Sequence, residues 1–382
     1  MGKKVRYGMI GGDLQAFIGD VHRKAIAFDN LAELVAGCFS TNNEKNQKTG
    51  DFFGLDGARV YKSFQDMAEG EAAREDKIDF VCITTPNRTH YEAAKAFLLK
   101  DIHVVCEKPL CFTVAEAEEL EKIAKERNLL FGVSYAYTGN VMVKYAKELI
   151  EKGEIGEVLT VSGQYLQEWL IDELGDSSDT AKLSIWRFDP EFAGASNCVG
   201  DIGSHIENTV HYMTGLHIKR VAAKLDTFGM ALDLNANIMV EYDNGAFGSY
   251  FASQVAVGHT NDLGVRIYGT KGSIEWREEA PNELIYTKKG QAPQTLTRGN
   301  GYIGGYPAEV SRVPAGHPEG FYESFSNFYR TFITALSKKI NGQALDKKDL
   351  DFPSVTEGLA GVRFINAAVE SSKNDAKWIS IS

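Results

Sequence analysis

The chain has 382 residues, 43% of them hydrophobic and 24% charged, and its formal net charge is −11. At roughly 100–200 residues per domain this length predicts two or three domains, and the composition excludes global disorder, a collagen-like repeat and a coiled-coil rod. The acidic balance excludes a general nucleic-acid binder, which needs a basic footprint, and argues against an anionic membrane surface. From the amino terminus, "KVRYGMI", "ELVAGCF", "KIDFVCITT", "IHVVCEK" and "LLFGVSY" are short apolar runs rich in β-branched residues. Runs apolar on both faces read as buried parallel strands. Helical patterns lie between them: in "AEAEELEKIAKERN", Leu120, Ile123 and Ala124 share one face. Alternating strand and helix predicts an α/β domain with a doubly wound parallel sheet over residues 1–134.

The pattern changes near residue 135. "GNVMVKYAKELIEKG" reads as a helix stopped by Gly153, and "GEVLTVSGQYLQEWL" as a long strand. "NANIMVEYDNGAFGSYFASQV" holds a hairpin signal at Asp243-Asn244-Gly245, and "VRIYGTKGSIEW" a second turn at Gly272. Consecutive strands without intervening helices predict an α+β domain over 135–382 with a large, mostly antiparallel open sheet. Two late helices are expected near 319–337 and 355–371.

Five cysteines, Cys38, Cys82, Cys106, Cys111 and Cys198, sit mostly in apolar runs, with no C-x-x-C. They read as reduced, buried thiols of a cytoplasmic protein. The start lacks the apolar core of a secretory leader. No run approaches the ~18 apolar residues of a membrane span. An open sheet face of the predicted size usually packs against something, so a homodimer or homotetramer is expected.

The first candidate site is "YGMIGGDLQAFIGDVHRKAIAF", a strand, a glycine-rich turn and a helix. Gly11, Gly12 and Gly19 would let the backbone approach a pyrophosphate at a helix N-terminus. The strict G-x-G-x-x-G spacing is absent, and Asp13 stands where the middle glycine is expected. Either Asp13 points away or the loop is rebuilt around an insertion. After the second strand, "FSTNNEK" offers Ser40, Asn42 and Lys45 in place of the carboxylate that usually meets a ribose 2′-hydroxyl. That choice tilts toward NADP or dual use, unless the segment is simply a solvated polar loop. In "ITTPNRTHYEAA", Thr85, Pro86, Asn87 and His90 follow a strand, at the end where α/β ligands bind. Asn87 could equally cap the next helix.

"VVCEKPL" places Glu107 and Lys108 after another buried strand. A partly desolvated lysine there suits proton handling or polarisation of an oxygen. In "GASNCVGDIGSHIENTVHYMTGL", Asp201 and His205 stand four apart at the start of a helix. A histidine beside a carboxylate is an oriented base; the alternative is Asp201 as helix N-cap and His205 as a packed histidine. His205, Glu207 and His211 do not share one helix face, and no HExxH occurs, so no metal is expected.

Taken in order, the glycine turn, "TTPNRTH", "EKP" and D-x-G-x-H resemble the Gfo/Idh/MocA family, which includes glucose–fructose oxidoreductase and inositol dehydrogenase. "IYGTKGSIEW" and "WRFDPEFAGASNCVGDIGSH" resemble family segments too, so the likeness spans nearly the whole chain. It implies a Rossmann dinucleotide-binding domain followed by a substrate-binding and oligomerisation domain, and an NAD- or NADP-dependent dehydrogenase of sugars, cyclitols or glycosides. It implies a catalytic set of Lys108, Asp201 and His205, with His205 as general base, Lys108 on the reacting hydroxyl and Asp201 orienting the substrate or His205. Ser40, Asn42 and Lys45 resemble the family's ribose-phosphate loop. His22 recurs at the family's first helix, in an undefined role. Tyr135, Trp186, Arg187 and His317, with Glu319, are the candidates to reach a polyol. Two rival readings share the fold: a glycosidase working by transient oxidation, and a non-catalytic sugar or nucleotide sensor.

Overall fold

The computed structural model describes residues 4–174 and 188–381. The chain divides into two compact units, Met1–Ala136 with Tyr322–Leu359, and Tyr137–Phe321 with Ala360–Ser382. The first unit is built on five parallel strands, β1 (Val5–Gly11), β2 (Ala32–Cys38), β3 (Phe80–Thr84), β4 (His103–Cys106) and β5 (Phe131–Val133). Their order is β2-β1-β3-β4-β5. Between them run α1 (Phe17–Ala27), α2 (Asn43–Phe52), α3 (Phe64–Ala72), α4 (His90–Leu98) and α5 (Val114–Glu126). The central strand β3 is buried throughout, which explains its unbroken apolar reading. The order reverses between β1 and β3, whose ends Gly11 and Thr84 are paired. Ligands of open α/β sheets bind outside such a reversal.

Glycine decides how β1 meets α1. Gly11 and Gly12 have φ of 75° and 73°, a region side chains avoid. A Cβ on Gly19 would lie 2.3 Å from the Gly12 Cα. The helix therefore rests directly on the loop backbone.

The first unit also takes residues from far along the chain. Helix α10 (Phe321–Ile340) buries Phe328, Tyr329 and Phe332, and Phe332 meets Phe80 of β3 edge-on at 5.4 Å. A bridge joins Gly132 of β5 to Ser354. The Val133 N–H donates to the Pro353 carbonyl at 2.8 Å.

The second unit holds nine strands in the order β13-β12-β11-β10-β6-β9-β8-β7-β14. They are β6 (Val158–Leu166), β7 (Ile218–Asp226), β8 (Asn235–Tyr242), β9 (Phe247–Ser253), β10 (Asp262–Gly269), β11 (Gly272–Arg277), β12 (Glu283–Lys288), β13 (Gln294–Thr297) and β14 (Ile379–Ser380). Among the described residues only β6 and β9 pair in parallel in this sheet; the other pairs are antiparallel. The expected hairpin joins β8 to β9, with Gly245 at φ 86° and the Asn244 side chain accepting from the Ala246 N–H. One face of the sheet packs on α6 (Val141–Glu151), α8 (Ser204–Thr214) and the later turns of α11 (Val355–Lys373), through Val161, Val265 and Trp276 against Met142, Ile206, Val210 and Phe364. A Cβ on Gly163 would lie 2.3 Å from the Ile206 side chain, so glycine there lets α8 approach β6. The short helices α7 (Pro190–Ala193) and α9 (Gly305–Val310) lie in the connections. Among the described residues, no helix is long and apolar enough to cross a membrane. All five cysteines are buried and free.

Gly19→Ala is expected to lower stability by about 1–3 kcal/mol, since the backbone of the loop itself must move. Thermal unfolding checks this. An unchanged melting temperature would mean that the loop tolerates a wider separation from α1.

Candidate active site

At the end of β1, the Asp13 carboxylate accepts from the Gln15 N–H at 2.9 Å, and the Asp13 carbonyl accepts from the Ala16 N–H. Asp13 thus closes a turn that carries extra residues between Gly12 and Gly19, an insertion in the glycine loop. Helix α1 begins at Phe17 without a side-chain cap, and its positive dipole end stands at the loop. The guanidinium of Arg23 is over the Phe53 ring and donates to the Gly12 carbonyl, tying the loop down from below. At the start of α2, Asn42 caps the helix by accepting from the Lys45 N–H. The Lys45 ammonium reaches the Gln15 side chain at 3.1 Å. Ser40 accepts from the Asn42 N–H.

Beyond β3, the Thr85 hydroxyl oxygen is buried without a hydrogen-bond partner among the described residues. Pro86 and Asn87 lead a short 3₁₀ turn, and Thr89, not Asn87, stands at the N-cap position of α4. His90 is fully buried. Its ring nitrogens face the carbonyls of Pro109 and Thr85, each at 2.9 Å. It sits between two loops; burial lowers its pKa, and as the neutral imidazole it donates to one of these carbonyls.

Glu107, at the tip of β4, is the centre of a buried network. Its carboxylate meets His22 Nε2 at 2.7 Å, accepts from the Ser134 hydroxyl, and accepts from the Lys108 N–H at 3.3 Å. The other His22 nitrogen contacts the Tyr329 hydroxyl, which contacts Cys82 Sγ at 3.1 Å. Burial works against the charge of His22, but Cys82 and Glu107 beside it outweigh burial and raise its pKa. Burial likewise opposes charge on Glu107, yet His22, Lys108 and Ser134 hold its carboxyl below the usual carboxylate range. Both shifts favour the charged forms, an imidazolium beside a carboxylate. Lys108 stands half-buried beside it, and Tyr135 is buried just past β5.

In the second unit, the segment before α8 is a π turn, Val199–Gly203, running directly into the α-helix. Such widened turns inside helices concentrate at functional sites. Asp201 lies in the π turn and does not cap it. The cap is Asp233, whose carboxylate accepts from the N–H groups of Asn197 (2.9 Å) and Val199 (3.0 Å). Asp201 accepts instead from Gln254 Nε2 at 3.0 Å. His205, one turn on, is buried. Its ring meets Tyr137 edge-on at 4.9 Å and Tyr165 at 5.9 Å.

The two tyrosine hydroxyls close a ring of hydrogen bonds with Asn261. Asn261 Nδ2 donates to Tyr137 at 3.3 Å, Tyr137 pairs with Tyr165 at 2.8 Å, and Tyr165 donates to Asn261 Oδ1 at 2.8 Å. Gln167 and Glu278 bind the same amide. Both hydroxyls are engaged with one another, so the rings act on His205 by packing. His211 is remote from this chemistry: its ring meets the Leu216 carbonyl at the helix end. Among the described residues no cluster of His, Cys, Asp or Glu is placed to hold a metal ion.

Trp186 and Arg187 lie outside the described residues. The His317 side chain is exposed, while its carbonyl accepts from Arg298. Glu319 is consumed structurally: buried, it pairs with Arg298 at 2.9 Å and accepts from the N–H groups of Arg312 and Val313. These partners engage Glu319 Oε1, which gives the residue a structural role in its own loop. Sequence reasoning missed Tyr329, Ser134, Gln254, Asn261 and Asp233. Their partners are remote in sequence, and none sits in a local motif.

Residues 5–135 match the oxidoreductase family with an NAD-binding Rossmann fold, and residues 143–275 the GFO/IDH/MocA C-terminal domain. The oxidoreductase YfiI of Bacillus subtilis is 35% identical, over 99% of this chain and 97% of its own. An inositol dehydrogenase homologue from Azotobacter vinelandii, solved with NAD+, superposes with a TM-score of 0.92 at 34% identity, covering 99% of this chain and 98% of its own. The same homologue has been solved with NADH and myo-inositol. Levoglucosan dehydrogenase of Pseudarthrobacter phenanthrenivorans is 32% identical over 54% of this chain and 57% of its own. The chain belongs to the Gfo/Idh/MocA family of oxidoreductases, and its first unit carries the family's NAD(P)-binding fold.

The His22–Glu107 pair predicts a pH signature. The raised His22 contributes stability in full below the ordinary imidazole range and loses it as pH rises through its folded value. The lowered Glu107 contributes in full above the ordinary carboxylate range and loses it as pH falls. Glu107→Gln should therefore cost roughly 2–4 kcal/mol near pH 5.5 and less near pH 9. Denaturant unfolding of both proteins at the two pH values measures the gap. An equal gap at both would contradict the ion pair.

Proposed function

We propose that this oxidoreductase is a dehydrogenase that oxidises a secondary hydroxyl of a sugar, cyclitol or glycoside to a ketone, using NAD or NADP. The observation that carries the reading is the setting of His205, an imidazole clamped by two tyrosine rings one turn after Asp201. In this reading residues 1–134 bind the dinucleotide and 135–382 bind the polyol and mediate assembly. The positive φ of Gly11 and Gly12, where a Cβ would run into Thr84 and Gly19, and the lack of a side-chain cap on α1 support a pyrophosphate site at this loop. The Thr85 hydroxyl, without a partner among the described residues, together with Pro86 and Asn87, supports a further contact beside it.

Bound there, the dinucleotide supplies a nicotinamide ring that accepts hydride. The chain's own residues do the rest. A ring nitrogen of His205 takes the proton of the substrate hydroxyl. Lys108 Nζ donates to the same oxygen and stabilises the negative charge that develops on it. Asp201 orients His205 or a neighbouring hydroxyl. Glu107 holds the backbone of Lys108 through the bond to its N–H. His90 joins the Thr85 loop to Pro109. Tyr135, Trp186, Arg187 and His317 remain the proposed polyol contacts. Ser40, Asn42 and Lys45, with no carboxylate among them, favour NADP or dual use. The myo-inositol bound by the Azotobacter homologue and the name of levoglucosan dehydrogenase support the substrate class. Five free thiols suit the cytoplasm.

Fluorescence titration with NADH and NADPH comes first, followed by oxidation assays on myo-inositol, other cyclitols, levoglucosan and free sugars. His205→Ala and Lys108→Ala should each lower kcat by about 10²-fold or more, with NAD(P)H binding by His205→Ala nearly unchanged. Lys45→Glu should weaken NADPH more than NADH, by roughly tenfold. Wild-type turnover in His205→Ala would remove the base assignment. Release of free sugar from glycosides without net cofactor reduction would replace the dehydrogenase with a glycosidase.

The same reading extends to assembly. The outer sheet face exposes Met239, Phe247, Phe251, Tyr268 and Ile285, an apolar surface of the kind that packs against a partner. Light scattering at micromolar concentration should give the mass of two or four chains. A monomer would contradict it.

A further inference from the structure

We propose that Gln254 is a positioning residue for Asp201, holding its carboxylate through an amide whose direction is dictated by Asn197. The inference rests on the reading above, in which Asp201 serves the reaction. Gln254 follows β9 and is fully buried. Its backbone is fixed on both sides: its N–H donates to the Leu234 carbonyl at 2.9 Å, and its carbonyl accepts from the Leu170 N–H at 3.1 Å. Its side chain lies between two polar groups of the segment that opens α8. Oε1 accepts from Asn197 Nδ2 at 2.7 Å, and Nε2 donates to Asp201 Oδ2 at 3.0 Å.

The direction of this chain is forced. Asn197 Nδ2 also faces the Asp233 carbonyl at 3.4 Å, and a carbonyl can only accept. The NH₂ of Asn197 must therefore stand there, so the Gln254 atom beside it must be the oxygen. The Gln254 NH₂ is left facing the carboxylate. Reversing both amides would set oxygen against oxygen at each end. The arrangement leaves Asn197 Oδ1 buried without a partner among the described residues, an orphan acceptor that disfavours the conformation by itself. Asp233 anchors the start of the chain. It accepts from the Ser196 hydroxyl at 2.9 Å and from the N–H groups of Asn197 and Val199. One buried carboxylate thus fixes the helix start, and two neutral amides carry its orientation to Asp201.

The test uses two variants of the full-length protein and a readout that needs no turnover. Gln254→Leu removes the donor. Gln254→Glu keeps the shape but sets a second carboxyl against Asp201. Carboxyl ¹³C NMR of aspartate-labelled protein, with Asp201→Asn for assignment, follows the Asp201 titration between pH 3 and 8. Tyr137, Tyr165 and Cys198 also feel Asp201. Burial pushes Tyr137 up to about 12 and the other two well above their ordinary values, so they stay neutral over this range. His205, one turn on, is silenced by repeating the titration in a His205→Ala background.

Loss of a donor to a carboxylate raises its pKa. Asp201 should titrate about one unit higher in Gln254→Leu, and higher still in Gln254→Glu. With the polyol identified by the assays above, kcat should fall roughly tenfold or more in both variants, with NAD(P)H affinity unchanged. Gln254→Glu should recover part of its kcat at low pH, where its carboxyl is protonated and can donate to Asp201; a merely structural lesion would not recover. An Asp201 titration unchanged in both variants overturns the proposal. A shifted titration with wild-type kcat also overturns it, provided Asp201→Asn is inactive. If Asp201→Asn itself turns over normally, the reading of Asp201 as part of the reaction fails, and the positioning role fails with it. Should Gln254→Leu not fold by thermal unfolding, the near-isosteric Gln254→Glu decides alone.

Discussion

A carboxylate kept charged with almost all of its surface out of water is the interaction on which the first unit's site depends. Removing an ion from water costs several kcal/mol, so Glu107 is tolerable at the tip of β4 only with its partners in place. Those partners come from separate segments: His22 from α1, Ser134 from beyond β5, and the N–H of Lys108 from its own loop. Tyr329 of α10 holds the far side of His22. The pair therefore couples the helix behind the glycine loop, the loop bearing Lys108 and a helix from the late part of the chain. His90 adds a second tie, from the Thr85 loop to Pro109. The loops at the carboxyl ends of β1, β3 and β4 cannot move independently without breaking a buried polar contact.

The second unit meets a different problem with different means. Asp201 and His205 belong to one continuous helix, and a regular helix would fix their relation by its own pitch. The π turn at Val199–Gly203 alters that relation, and the wider turn is held by Asp233 from outside the helix. His205 is then confined by ring edges. The ring of hydrogen bonds through Asn261 fixes Tyr137 and Tyr165 in turn. Side-chain freedom is removed at each step by a group that is itself hydrogen-bonded, so the imidazole keeps its geometry without a covalent constraint.

Much of this was legible in the chain. Parallel strands such as Phe80–Thr84 announce themselves because both faces are buried, and the glycines announce the loop because side chains cannot occupy its φ values. The motifs around Lys108 and Asp201 mark the ends of elements, where polar residues interrupt apolar runs. What was not legible is set by tertiary contact. The expected helix near 319 is present, but nothing in its pattern tells that Phe328, Tyr329 and Phe332 pack with the first unit. Asp13 looked like an obstacle to an anion, yet its carboxylate closes the turn of an enlarged loop. Glu319 looked like a free acceptor in its turn, but its Oε1 pairs with Arg298. The partner of a polar side chain is a property of the fold, and period and spacing carry no trace of it.

The two units also differ in the sign of what they must stabilise, and their positioning groups differ accordingly. Beside Lys108 the neighbour is an anion: the Glu107 carboxylate accepts from the lysine's own N–H. Beside Asp201 a second anion would repel, and a cation would lock the carboxylate into an ion pair. A neutral donor avoids both faults: an amide N–H holds one oxygen of Asp201 and adds no charge to the site. Asp233 needs insulation from Asp201 for the same reason, and burial already raises its pKa. Two amides in series provide it. They pass orientation from one carboxylate to the other while keeping the charges apart, which no single ionic residue at position 254 can do.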